Sequence, residues 1–124
     1  FNRRKALQYM EGGHVVISVA GTGNPYFTTD TAAALRACEL NCDLLLKATK
    51  VSGVYTADPD YDKEAEFLPL LSYEEVFSKR LKVMDATAIA LAHENNIPIA
   101  VFSIYEKDSF YNVIQGKGAF SLIS

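Results

Sequence analysis

Val15-Val16-Ile17-Ser18-Val19-Ala20 runs directly into Gly21-Thr22-Gly23-Asn24-Pro25-Tyr26-Phe27-Thr28-Thr29-Asp30, and this junction decides how the rest of the chain is read. The first six residues are largely apolar and β-branched, which predicts a strand over 15–20. Beyond the loop at 21–29, Ala32, Ala33, Leu35 and Ala37 predict a helix from about Asp30 to Leu40, with small residues for close packing on a sheet. In an open α/β sheet, ligands sit at the carboxyl end of a strand, and free N–H groups at the following helix start favour an anion such as phosphate. Gly21 and Gly23 let the backbone approach closely, while Thr22, Asn24, Thr28 and Thr29 supply hydrogen-bonding groups without charge. A strand-to-helix turn with no ligand has the same composition, so the residues alone leave both readings open.

Upstream, Phe1 to Glu11 has a helical pattern offering Ala6, Leu7, Tyr9 and Met10 as a buried stripe, stopped by Gly12-Gly13. Its abrupt beginning suggests a start inside a larger domain, although an amino-terminal helix is equally ordinary. Downstream, Leu44-Leu45-Leu46-Lys47-Ala48 reads as a strand buried on both faces, and Gly53 and Asp58-Pro59 break regular structure after it. Residues 60–66 are an acidic solvated loop. Ser72 and Glu75 form a capping box that opens a helix through Lys79, and Asp85 caps another running to about Asn95. His93, beside Glu94 near the end of that helix, has a structural or surface role. Residues 97–102 form a third strand, Asp108 caps a helix through Ile114, and 119–123 closes the chain as a strand. Strands alternating with helices mean α/β with a mainly parallel sheet.

The chain has 124 residues, 49% hydrophobic and 22% charged, enough for one domain, or part of one, with a moderate core. Its net charge of -3 argues against a nucleic-acid footprint, though one loop can still bind a small anion. Cys38 and Cys42 have no further Cys or clustered His to complete a metal site, which leaves two thiols in a reducing compartment. No apolar run reaches the ~18 residues of a membrane span, and no signal-peptide pattern opens the chain; a cytoplasmic protein is expected.

Three blocks, residues 19–30, Leu46-Lys47-Ala48-Thr49-Lys50-Val51-Ser52-Gly53-Val54-Tyr55-Thr56-Ala57-Asp58-Pro59 and Leu81-Lys82-Val83-Met84-Asp85, resemble the bacterial uridylate (UMP) kinases of the amino acid kinase superfamily in order and spacing. The resemblance runs from Phe1 to the C-terminus but corresponds to the carboxyl-terminal half of such an enzyme; the glycine-rich, lysine-bearing phosphate loop of the other half has no counterpart here. It implies a three-layer α/β/α fold with a mainly parallel sheet, incomplete on its N-terminal side, in which residues 1–124 are the nucleotide-binding portion of a single domain. It also implies transfer of the γ-phosphoryl group of ATP to UMP, with Mg2+ accompanying ATP.

By the same resemblance, Thr22, Gly23, Asn24, Pro25, Tyr26, Phe27, Thr28 and Thr29 bind UMP, and Asp30 is the organising acid near the transfer site. Asp30 would orient a cationic phosphate-binding group, a role compatible with capping the helix. Thr49, Tyr55 and Asp58 fall on the ATP side, with Lys50 as a neighbouring cation, and no residue is assigned to a metal. Tyr26 and Phe27 would shape the pocket wall or pack in the core. Ser52 departs from the acidic or amide residue usual before Gly53, and His14 from the usual Arg or Lys. The family's GTP control between subunits and its homohexamer are further expectations, without effector residues. The alternatives are another superfamily kinase acting on a carboxylate, carbamate or phosphonate, and a catalytically inactive nucleotide-binding or assembly module.

Overall fold

A computed structural model describes all 124 residues. Its centre is β5 (Ile99–Ser103), a run buried at every position, as expected of a strand covered on both faces. β1 (Leu45–Thr49) pairs parallel to it, from Leu45 opposite Ile99 to Thr49 opposite Ser103. On the other side β6 (Phe120–Ile123) pairs antiparallel, and β4 (Leu70–Leu71) lies parallel to β6, giving the order β1-β5-β6-β4. A small antiparallel hairpin, β2 (Val54–Tyr55) with β3 (Phe67–Leu68), stands beside this sheet.

Alternation along β5 divides the core in two. Ile99 and Val101 pack with Leu71, Ile123 and the helices α3 (Tyr73–Ser78) and α4 (Ala86–Glu94), while Ala100 and Phe102 face Val113 of α5 (Ser109–Ile114). Helices therefore cover both faces, and the expected α/β layering is present. α2 (Thr29–Glu39) packs on α4 through small residues, and Ala34, Ala37, Ala88 and Ala92 are all buried. The Ser72–Glu75 capping box forms with both reciprocal bonds, and Asp85 caps α4 by accepting the Ala88 N–H at 2.9 Å.

Gly53 is required by close approach. A Cβ there would fall 2.3 Å from Ser121 Oγ and 2.7 Å from the Phe67 ring. The Ser121 hydroxyl accepts the Val54 N–H (2.8 Å) and donates to the Leu68 carbonyl (2.6 Å), so it ties both hairpin strands to β6.

Five expectations are corrected. The run at 44–48, read as a strand buried on both faces, becomes the sheet-edge strand β1, half-buried along its length with Ala48 exposed. Residues 15–20 form no strand: no other segment runs beside them, and Val15, Ile17 and Val19 are 92%, 83% and 76% exposed. Without a ladder partner a β-favouring run stays unpaired. In the first helix, α1 (Arg3–Glu11), only Ala6 of the expected stripe is buried; Tyr9 and Met10 are exposed because nothing in this chain covers that face. Asp30 is not the cap of α2, since Thr28 accepts the N–H groups of Asp30 and Thr31 and takes that position. Asp108 sits in the left-handed region (φ +58°) and makes no capping bond; α5 is anchored through buried Val113.

Candidate functional site

The loop between the 15–20 run and α2 is held open by its backbone. Ala20, Gly21, Gly23 and Tyr26 all have positive φ, which the two glycines adopt without strain. Thr22 Oγ1 accepts the Asn24 N–H at 3.1 Å, a local turn that fixes the loop tip. No other amide from 20 to 27 has a partner within the chain, so these N–H groups remain free to bind a ligand. Thr22 is half-buried, whereas Gly23, Asn24, Pro25, Tyr26, Phe27, Thr28 and Thr29 are exposed. Tyr26 and Phe27 therefore pack in no core of this chain.

Beneath the loop, chain-distant residues converge on two carboxylates. Lys47 Nζ, from β1, donates to Asp30 Oδ2 at 2.6 Å. Asp85 accepts from the Thr28 hydroxyl and from Thr31 Oγ1 at 3.1 and 3.0 Å, in addition to the Ala88 N–H. Burial works against the Asp85 charge. The bonds from Thr28, Ala88 and Thr31, with the nearby Lys47, outweigh it and hold the carboxyl below its ordinary range. The Thr28 hydroxyl thus spends its proton on Asp85 and its lone pairs on two amides, acting as a latch between α2 and α4.

A cleft of about 500 Å³ opens beyond the carboxyl end of β1. Lys50, Val51, Gly53, Val54 and Tyr55 line one part, Thr56 to Asp60 another, and Lys79-Arg80-Leu81-Lys82 a third. Lys50, Tyr55 and Asp58 line this one cleft; Thr49 stands at the end of β1, where its carbonyl accepts the Ile104 N–H at 2.9 Å. Asp58 Oδ1 accepts the Asp60 N–H, shaping the turn that carries it. Ser52 donates to Glu106 at 2.7 Å, a bond that an acidic residue at 52 would replace with repulsion. His14 Nδ1 lies 3.2 Å from the Tyr9 carbonyl. His93 stacks on Tyr73 (4.8 Å between centroids) away from the loop and the cleft.

Sequence reasoning does not assign Lys47, Thr31 or Asp85 to the site, nor Lys79 to Lys82. Lys47 lies inside an apolar strand pattern, and only the presence of 81–85 among the three family-like blocks points to that segment. No group of three or more His, Cys, Asp or Glu converges, and the carboxylates under the loop are already bonded to Lys47 or to hydroxyls. The side chains thus form no closed metal cage; a divalent cation would fit here only if a phosphate-bearing ligand supplied most of its oxygens.

A family model described as the amino acid kinase family matches residues 1–103. A protein of Wolbachia pipientis wMel named uridylate kinase is 55% identical over 122 residues, covering 98% of this chain and 49% of that relative. One from Magnetococcus marinus with the same name is 56% identical, covering 99% of this chain and 51% of the relative. The crystal structure of UMP kinase from Ureaplasma parvum superposes with a TM-score of 0.95 at 38% identity, covering all of this chain and 53% of that one. The chain therefore spans about half the length of the curated relatives it matches.

Proposed function

The chain belongs to the amino acid kinase family, and from that premise we propose that residues 1–124 are the carboxyl-terminal, nucleotide-binding portion of a kinase transferring the γ-phosphoryl group of ATP to UMP. Phosphoryl transfer asks little covalent chemistry of the protein; positioning and charge neutralisation supply the rate. In this reading the free amides of the 21–27 loop and the hydroxyls of Thr22 and Thr29 hold UMP, with Thr28 fastening that loop to α4, and Lys50, Tyr55, Asp58 and Thr49 hold ATP. Asp30 keeps the Lys47 ammonium where the phosphates meet. Asp30 need not act as a base, because a phosphate monoester with a second pKa of about 6 is largely ionised at neutral pH. Mg2+, bound with ATP, supplies further neutralisation of the phosphate charge. GTP control, a homohexamer and a cytoplasmic setting belong to the same proposal; no helix is long and apolar enough to cross a membrane.

One observation carries the reading: the Asp30–Lys47 ion pair under a loop whose amides are free. The names of the relatives supply UMP as acceptor. The test uses a protein of the relatives' length that contains this sequence, supplied with MgATP and a panel of acceptors. UDP formation dominates, and Asp30→Asn lowers kcat more than it weakens UMP binding. Comparable turnover of a carboxylate or carbamate overturns the choice of acceptor, and an unchanged kcat removes Asp30 from the transfer site. The unpaired 15–20 run supports a further part of the proposal, that the 124-residue chain alone binds nucleotide without turnover; ADP release by the isolated chain would refute it.

A further inference from the structure

Two stretches of backbone lead from the carboxylate corner into the cleft. Along β1 and its exit, Lys47 is followed three residues later by Lys50, which lines the cleft; counting back from Asp85, Lys82 lines it too. Each interval spans at most about 10 Å of extended chain, so the corner and the cleft wall that carries the two lysines are close neighbours along the backbone. The wall carries four cations, Lys50, Lys79, Arg80 and Lys82, against two carboxylates, Asp58 and Asp60, in a chain whose overall charge is -3. Lys79 is tied to Glu75 at 3.2 Å, but Lys50, Arg80 and Lys82 have no carboxylate within ion-pair distance.

The backbone adds a second indication. α3 ends with the Arg80 N–H on the Phe77 carbonyl (3.2 Å) and the Leu81 N–H on the Val76 carbonyl (3.0 Å), a closure whose left-handed residue is most often glycine. Here that residue is Arg80, at φ +51°. A long cation is kept on the cleft wall at a backbone position that disfavours it, as happens where a side chain serves a site.

We propose that Lys82, together with Lys50, grips the polyphosphate of a nucleotide whose nucleoside lies against Tyr55 and Asp58, with Arg80 adding to the grip. This rests on the reading of the cleft as the ATP side, which already included Lys50, and adds to it Lys82 and Arg80. Unpaired ammonium groups in a partly enclosed cleft attract phosphate as point charges, and the attraction weakens with salt.

The experiment titrates the 124-residue chain with ATP, with adenosine and with inorganic tripolyphosphate by calorimetry, at low and high salt, for the wild type, Lys82→Ala and Lys82→Arg. Thermal melts check that each variant folds. Wild type binds ATP more tightly than adenosine, and the preference shrinks as salt rises. Lys82→Ala weakens ATP and tripolyphosphate about tenfold while leaving adenosine within twofold, and Lys82→Arg restores most of the loss. A preference for ATP that survives Lys82→Ala, or wild-type binding of adenosine as tight as ATP, overturns the grip and leaves the nucleoside reading standing. Binding of neither ATP nor adenosine by the wild type removes that reading and the grip with it.

Discussion

Asp85 accepts hydrogen bonds from Thr28, Thr31 and the Ala88 amide at once, so one carboxylate caps α4 and fastens the loop-bearing end of α2 to it. Its capping role is legible from sequence, because an acidic residue before Ala86-Thr87-Ala88 is a local signal. Its second role is not: Thr31 is 54 residues away, and no local pattern encodes a bond of that span. Lys47 escapes for a related reason, since a lysine after Leu44-Leu45-Leu46 reads as a strand residue until its partner Asp30 is known. Replacing Asp85 with Asn keeps the shape and removes the charge; we predict a loss of about 1–3 kcal/mol in unfolding free energy near neutral pH. The sign of the pH dependence comes from the depressed folded pKa. The charge contributes fully above the unfolded value of about 3.9 and is lost as pH falls through the lower folded value. Thermal melts of wild type and Asp85→Asn should therefore converge as the pH drops below about 4; a gap unchanged down to strongly acid pH would mean the carboxylate's charge plays no part.

Helices with capping signals are the elements most readable from the chain: the Ser72 box and the Asp85 cap begin α3 and α4 as expected. The short strands are not readable, because two residues such as Val54-Tyr55 or Leu70-Leu71 are too few to show a period. What assembles the hairpin is the close contact at Gly53 and the Ser121 hydroxyl between its strands. In sequence Gly53 reads as a breaker of regular structure, whereas its lack of a side chain is what lets β6 and Phe67 approach. Gly53→Ala should destabilise by about 1–3 kcal/mol, the usual range for overpacking a filled site. Ser121→Ala strands the Val54 N–H and the Leu68 carbonyl but removes the oxygen that the new methyl strikes. In a denaturant double-mutant cycle the pair should cost clearly less than the sum of the single changes. Strict additivity would show that the two residues do not share one contact.

At the scale of the molecule, the core lies on both faces of the β1-β5-β6-β4 sheet, while one segment stands apart from it. Residues 15–20 read in sequence as the strand leading into the loop, and their β character is real, yet in this chain they pair with nothing. A strand is a property of two segments, and the sequence of one cannot supply the other. The loop beyond is fastened at its far end by the Thr28–Asp85 latch. Val15, Ile17 and Val19 alternate and are largely exposed, so they present an apolar edge with open backbone groups, the kind of surface that templates association between chains. Because these side chains bury almost nothing, replacing all three with Thr should leave the melting temperature within about 2 °C, as for surface changes within roughly 0.5 kcal/mol. The same change should lower whatever light scattering of concentrated solutions arises through this exposed apolar edge, because it removes the apolar side chains that such contacts would use. A large fall in melting temperature would mean that the segment is packed in solution, and with it the open loop above Asp30 would have to be redrawn.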